Sequence, residues 1–314
     1  MISVIIATRN RPEKIAPCLR SVLANKYSSF EIIIIDQGDG EATGEKCRLI
    51  RSSKTRYFRL NNKGKSKALN FALNKAKGKI IAFTDDDCLV EKNWLEEITK
   101  SFLKHPQVAA VFGKSLPYRS EKNKDLFCAC TFSRKREVLF NKPVDHWQVG
   151  YGNNMAFRAN IFKKIGNFKE WLGPGSVGRS AEDAEIILRT LFRGCQILYN
   201  PKMTIYHDRW LSLKQFRKQQ WLYSWAETAC YGYYFFCGEK LAKDVLRRIF
   251  SDTFQKGKTG LKELLLLKIS GLNKIGDCLI GYIYKTRGLV IGFLAYKKDC
   301  FQKMEYQEPK VLKN

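Results

Sequence analysis

The chain has 314 residues, with 56 Lys and Arg against 30 Asp and Glu, a formal net charge of +26. Hydrophobic residues make up 45% and charged residues 27%, a globular composition that excludes a disordered chain, a collagen-like repeat and a small disulfide scaffold. The basic excess calls for a partner of negative charge: nucleic acid, an anionic membrane surface or a phosphorylated ligand. Ten Cys stand singly apart from Cys128 and Cys130, and there are three His. That pattern predicts reduced, mostly buried thiols inside a cell rather than a zinc site. Residues 2–7 are too short for the apolar core of a signal peptide and run into Arg9 and Arg11, so they are expected to form a first strand.

In chain order, short runs rich in Val, Ile and Phe predict strands at 3–7, 31–36, 56–60 and 80–84, with helices between them near 13–23 and 66–76. Ile32-Ile33-Ile34-Ile35 has no polar alternation, as expected of a strand covered on both faces. Such alternation predicts a mostly parallel sheet with right-handed crossovers, its ligands beyond the carboxyl ends of the strands. A helix near 93–103, strands at 108–113 and 155–157, a Gly-rich loop at 172–180 and an amphipathic helix at 181–192 follow. Strands at 197–199 and 204–206 lead to His207. Beyond about 208 the chain reads as helical, near 213–236, 240–250 and 262–284, with 20 Lys and Arg against 9 Asp and Glu from Arg209 on. No run of 18 uncharged apolar residues occurs there, since Lys285 and Arg287 interrupt the most apolar stretch, so a spanning helix is not expected. A basic region with apolar faces suits a membrane interface, although an ordinary helical packing domain would read the same way.

Two nucleotide signatures fail. Gly64-Lys65-Ser66 ends like a P-loop, but Arg59 stands where its first Gly belongs; Gly38-Asp39-Gly40 opens like a dinucleotide fingerprint, but position 43 is Thr. Asp85-Asp86-Asp87 closes a predicted strand. Three adjacent carboxylates repel one another unless a cation or donors compensate. In extended chain Asp85 and Asp87 would point the same way, ready for a hard divalent ion such as Mg²⁺ or Mn²⁺; a solvated acidic turn is the alternative. Ser180-Ala181-Glu182-Asp183 matches a capping box in which Asp183 reaches back to the Ser180 amide. Equally, Asp183 could serve as a general base. Lys65 at a helix start could face a phosphate, and His207 could be a neutral imidazole ligand or a buried structural histidine.

In their order these elements resemble family 2 glycosyltransferases. The likeness runs from Ser3-Val4-Ile5-Ile6-Ala7-Thr8-Arg9-Asn10-Arg11-Pro12 through the strand ending at Asp36, Gly64-Lys65-Ser66-Lys67-Ala68-Leu69-Asn70 and Asp85-Asp86-Asp87. It continues through Gly152-Asn153-Asn154, Gly173-Pro174-Gly175, Glu182-Asp183 and Tyr206-His207. The resemblance implies the GT-A fold over residues 1–210, followed by a basic helical region at 211–314. It implies an inverting, metal-dependent transfer, most simply of a hexose, from a nucleotide-diphosphate sugar (UDP-sugar by default) with Mn²⁺ or Mg²⁺. Thr8 and Asp36 would contact the nucleoside, Asp36 facing the base, with Asn10, Lys65 and Asp86 beside the donor. Asp85 and Asp87 would hold ribose and metal, Asp87 directly and His207 completing the shell. Asp183 would be the base, with Glu182 orienting the acceptor. Two departures stand out: Gln37 follows Asp36 where many relatives have a second Asp, and Leu69 stands where many have Arg.

The expected protein is thus an enzyme of polysaccharide or glycolipid synthesis, cytoplasmic and peripheral on the inner face of the cell membrane. Its expected partners are a saccharide or lipid-linked acceptor and an anionic membrane surface, with no nucleic acid. The rivals are a basic nucleic-acid or membrane-binding protein without catalysis, which leaves Asp85–Asp87 unexplained, and a sugar-phosphate nucleotidyltransferase, which would carry Gly straight after the first strand.

Overall fold

The computed structural model describes residues 1–50, 52–120, 125–266 and 270–305. Strand β1 (Ile2–Thr8), helix α1 (Pro12–Leu23), β2 (Phe30–Asp36), α2 (Ala42–Leu49), β3 (Thr55–Arg59), α3 (Lys65–Lys75) and β4 (Ile80–Asp85) alternate as the hydrophobic pattern requires. Then come β5 (Cys88–Val90), α4 (Trp94–Lys104), β6 (Val108–Pro117), β7 (Phe127–Cys128), β8 (Val138–Phe140), β9 (Met155–Arg158) and α5 (Ile161–Ile165). Helix α6 (Glu182–Phe192), β10 (Gln196–His207) and β11 (Trp210–Leu211) complete this part. Among the described residues the main sheet runs β3-β2-β1-β4-β9-β6-β10-β5, with β8 also on β10. The β1, β2, β3 and β4 pairings and β6–β10 are parallel, while β9, β5 and β8 pair antiparallel.

Alternate residues of the buried strands feed two cores. Ile32 and Ile34 pack on one face with Ile15, Leu19, Trp94 and Ile98; Ile33 and Ile35 pack on the other with Leu69, Phe83, Phe157 and Ile187. Leu69, the departure noted in the sequence, is therefore a core residue of α3.

The strands expected at 197–199 and 204–206 are one, β10, whose register on β6 shifts between Asn200 and Thr204. Pro201 lies in that shift, where a residue without N–H cannot join the ladder. Strand β5 has no periodic signal in its three residues, yet it pairs with the far end of β10, Cys88 opposite His207.

The C-terminal helices are α7 (Leu213–Phe236), α8 (Lys240–Leu265) and α9 (Ser270–Glu305). The chain divides into two units: Met1–Ser176 with Glu182–Arg217, and Val177–Ala181 with the chain from Lys218 on. Contrary to the sequence expectation, Leu272–Cys300 is long and apolar enough to cross a membrane by length and composition, at a mean hydropathy of 1.3. Of the two cations within its most apolar stretch, residues 278–296, Lys285 turns inward and donates to Ile249 O and Thr253 Oγ1 on α8.

Candidate active site

A cavity of about 260 Å³ opens at the carboxyl ends of β1 and β4, lined by Thr8, Arg9, Arg11, Gln37, Lys65, Asp85, Asp86, Asp87, Gly175 and Arg209 among others. Of the residues expected at the site, Thr8, Lys65 and all three Asp line it. Asn10, Asp36, Glu182, Asp183 and His207 do not.

The three acids are compensated separately. Strand β4 ends at Asp85, and Asp86 and Asp87 form the turn into β5, so side-chain alternation stops there and the expected pairing of Asp85 with Asp87 is replaced. Asp85 accepts from Lys65 Nζ at 2.6 Å, whereas Arg11 Nη1 donates to both Asp86 Oδ1 and Asp87 Oδ2 at 2.9 Å. Thr8 Oγ1 donates to Asp86 Oδ2 at 2.7 Å. Burial, with repulsion from Asp87 and Asp85, outweighs Arg11 and Thr8 and raises the Asp86 carboxyl to about 6. Burial opposes ionisation of Asp87 too, but the hydrogen bond and charge of His207, with Arg11 and Arg209, hold it below the usual carboxylate range.

His207 reaches Asp87 because β5 and β10 are in register. Its Nε2 donates to Asp87 Oδ1 at 3.2 Å and its Nδ1 to Ala129 O at 2.6 Å. Burial disfavours the imidazolium, yet Asp87 more than offsets it and the ring's pKa is raised. With both nitrogens facing acceptors, the imidazole is protonated here.

On the other side Lys65 links the strand-end acids to α6, its Nζ 3.2 Å from Glu182 Oε1. Burial would lower this ammonium's pKa, but Asp85, Glu182 and Asp183 together push it well up. The pKa of Glu182 itself is raised by burial and by Asp183 despite Lys65, and its Oε2 is buried without a hydrogen-bond partner among the described residues. Expected to orient an acceptor, Glu182 instead points inward and holds Lys65.

Asp183 does not form the capping box. The Ser180 N–H donates to Gly178 O, and Asp183 Oδ2 accepts from Gly152 N–H at 2.7 Å while Oδ1 accepts from Ala184 N–H at 2.8 Å. A Cβ on Gly152 would sit 2.8 Å from the Asp183 Cβ, so only glycine lets this backbone approach so close. Asp183 is half-buried, leaving its remaining lone pairs reachable.

The Gly-rich segment closes over the start of α3. Pro174 O accepts from Lys65 N–H at 2.9 Å and Leu172 O from Ser66 Oγ at 2.7 Å. Gly175, at φ +87, lies where a Cβ would be 3.2 Å from Gly64 Cα.

The family model described as Glycosyl transferase family 2 matches residues 3–166, more than half of the chain. The chain belongs to that family. Glycosyltransferase GlyG of Streptococcus pneumoniae is 25% identical over 173 residues, covering 52% of this chain and 56% of its own length. The chain thus spans little more than half of that relative. Glucosyl-dolichyl phosphate glucuronosyltransferase of Haloferax volcanii is 23% identical over 219 residues, covering 66% of this chain and 68% of its own. Among solved structures, Staphylococcus aureus TarS 1-349 superposes with a TM-score of 0.53 at 18% identity, over 72% of this chain and 65% of that one. Mannosyltransferase PcManGT of Pyrobaculum calidifontis, in complex with GDP-Man and Mn²⁺, gives 0.59 at 15%, over 92% and 86%. At such identities the likeness establishes a shared fold: a GT-A domain with a C-terminal helical region.

In this member of the family the residues around Asp87 suit a hard divalent cation. Asp87, Cys88 and His207 bring one carboxylate oxygen, one sulfur and one imidazole nitrogen within 4.8 Å of one another. Burial raises the Cys88 thiol well above its ordinary pKa and keeps it neutral, leaving an oxygen–nitrogen donor set appropriate to Mn²⁺ or Mg²⁺. The Nδ1–H bond to Ala129 O fixes the ring so that Nε2 is the nitrogen offered, an arrangement usual for ligating histidine.

Asp36 stands apart. It is fully buried, and its carboxylate accepts from Gly38 N–H and Tyr57 OH, both at 2.7 Å, so both oxygens are already engaged inside the protein. Asn10 ties the β1 turn to Asp39, donating from Nδ2 at 2.9 Å and accepting the Asp39 N–H at 2.8 Å. Sequence reasoning missed Arg9, Arg11, Gln37 and Arg209 as cavity residues. Gln37, the other departure in the sequence, donates to Asn62 O and Gly64 O, bracing the loop before α3. Position at a strand end was the available signal for Arg11 and Gln37; Arg209 had none.

Proposed function

We propose that the chain transfers a hexose from a nucleotide-diphosphate sugar, UDP-linked as the first choice, to a hydroxyl of a saccharide or lipid-linked acceptor with inversion. The product belongs to cell-surface polysaccharide or glycolipid. The observation that carries this reading is one cavity in which Asp85, Asp86 and Asp87 meet Arg9, Arg11, Lys65 and Arg209, a mixture of charges suited to a metal–diphosphate complex. Neighbouring folds in complex with UDP-GlcNAc and with GDP-Man and Mn²⁺ support it.

In this reading Asp87 and His207 hold the cation, His207 as neutral imidazole, so loading releases a proton. When bound, a divalent cation supplies neutralisation of charge on the departing diphosphate. Thr8 and Asp86 shape the nucleoside end, and Asp85 faces the ribose. Arg11 and Lys65 turn cations toward the phosphates. Asp183, fixed by two backbone N–H groups, takes the acceptor's proton as its oxygen attacks the anomeric carbon from the side opposite the diphosphate. Glu182 positions Lys65.

The same reading places the enzyme on an anionic membrane face. Leu272, Leu279, Ile283, Val290 and Leu294 are each more than half exposed, and their spacing puts them along one side of α9 for about 33 Å. The exposed cations Arg287, Lys297 and Lys298 belong to the same helix. Its Asp277 and Asp299 are held by Lys256 and Tyr233 at 3.1 and 2.7 Å. An apolar stripe accompanied by cations suits a helix lying in the headgroup region.

The deciding experiment is a thermal-shift panel of UDP, GDP, CDP, ADP and dTDP with Mn²⁺ or with EDTA. A ligand at about 100 times its Kd adds roughly 2.7 kcal/mol. Stabilisation by one nucleotide, only with metal and lost in Asp87→Ala, is expected; a folded protein that answers to none of them refutes the donor site.

A further inference from the structure

In the C-terminal unit Arg179 and Arg287 converge on one indole, their guanidinium carbons 5.5 and 5.9 Å from the centroid of Trp225. Both side chains are exposed, and among the described residues neither has a carboxylate partner. Two like charges drawn to one ring without an anion are a repulsive arrangement that an anionic ligand would relieve. The ring is also incomplete in another respect, since its Nε1–H is buried and has no acceptor among the described residues. Such a group costs free energy unless a ligand or water satisfies it. The aromatic surface extends further, Tyr284 lying 5.9 Å from Trp225 and 6.1 Å from Trp221 between ring centroids. Finally, the segment that presents Arg179 is held in a costly conformation: Arg179 and Ala181 are non-glycine residues at φ +68 and +69. Strain of this kind persists where surrounding structure over-determines it, often at binding sites.

We propose that Arg179, Trp225 and Arg287 form a binding site for a sugar phosphate, the two guanidinium groups on the phosphate and the aromatic surface against the sugar ring. Arginine is the side chain suited to phosphate because its planar fork donates in pairs. Beside the two arginines the half-buried ring of Tyr284, packed against Trp221 and Trp225, supplies an apolar bed for the C–H face of a pyranose. The assignment as an acceptor site rests on the transferase reading above. Arg179 lies four residues before Asp183 in the chain. The acceptor class is then a saccharide bearing a phosphate or phosphodiester, whether free or carried by a lipid.

The test is isothermal titration of the full chain, in EDTA, with glucose 1-phosphate, with glucose and with inorganic phosphate. A parallel arm uses polyprenyl phosphoglucose in phosphatidylcholine vesicles. Saturable binding of glucose 1-phosphate that is tighter than either half is expected. It should weaken about tenfold in Arg179→Gln and again in Arg287→Gln, partly recover in the Lys variants and persist in Asp87→Ala. Arginine-dependent binding in the vesicle arm alone supports the site with a lipid-borne ligand. Absence of binding in both arms, or equal binding by wild type and the double Gln variant, overturns the proposal. Metal-dependent stabilisation by a nucleotide is measured on the same variants; its retention with the sugar-phosphate response absent locates the failure here, and its loss in wild type locates it in the transferase reading.

Discussion

Lys65 is the hinge of the site's electrostatics, and replacing it with Met exposes the energetics directly. The ammonium satisfies Asp85 at 2.6 Å and Glu182 at 3.2 Å, with Glu182 only 6% exposed at the side chain. Removing one member of a buried ion pair typically costs about 3–5 kcal/mol, because the other charge is left uncompensated. Here Glu182 has an escape. It can take up a proton, and its ordinary value is 4.5. At about 1.36 kcal/mol per pH unit, protonation costs roughly 3.4 kcal/mol at pH 7 and about 0.7 kcal/mol at pH 5. Asp85 is more exposed and stays hydrated. The folded variant therefore holds Glu182 with a pKa raised above its unfolded value. Such a group favours the folded state below the unfolded pKa, and that stability is lost as pH rises through the folded pKa. Urea unfolding of wild type and Lys65→Met at both pH values should show about 3 kcal/mol of destabilisation at pH 7 and about 1 kcal/mol at pH 5. A difference that is the same at both pH values, or larger at pH 5, would refute the idea that Lys65 neutralises Glu182.

Three further outcomes are expected. Asp183→Asn should lower kcat by about 10²–10⁴-fold, the usual worth of a positioned base, while the nucleotide-dependent thermal shift is unchanged; a kcat within threefold of wild type would remove Asp183 from that role. Gly175→Ala forces a Cβ into φ +87 against Gly64 and should cost about 1–2 kcal/mol and raise the KM for donor, both read by unfolding and initial-rate assays. Leu279→Glu with Ile283→Glu should abolish co-sedimentation with phosphatidylglycerol vesicles at low salt while leaving the Tm intact, since both side chains are more than half exposed; undiminished sedimentation would assign membrane contact elsewhere.

Much of the first part of the fold was legible locally. The run Ile32–Ile35 has the composition of a strand buried on both faces, and its residues do alternate between the two cores. Thr8, Lys65 and Asp85–Asp87 were legible as strand-end and helix-start residues, and they line one cavity. The Ser180–Asp183 spacing misled, because a capping box and a carboxylate aimed at a distant amide look identical in sequence. What decides between them is Gly152, 31 positions away.

The sequence by itself determined the alternating strands, their buried faces and the acidic end of β4, because strands and faces follow from side-chain periodicity over a few neighbours. Tertiary structure alone decided which acid meets which cation. A turn rather than extended chain at Asp86–Asp87 gives both to Arg11, and the β5–β10 register brings His207 to Asp87 across 120 residues. The packing of Glu182 beneath Lys65 makes one member of an adjacent pair structural and leaves the other reachable. Those choices depend on contacts between distant segments, and no local pattern encodes the distance between two side chains.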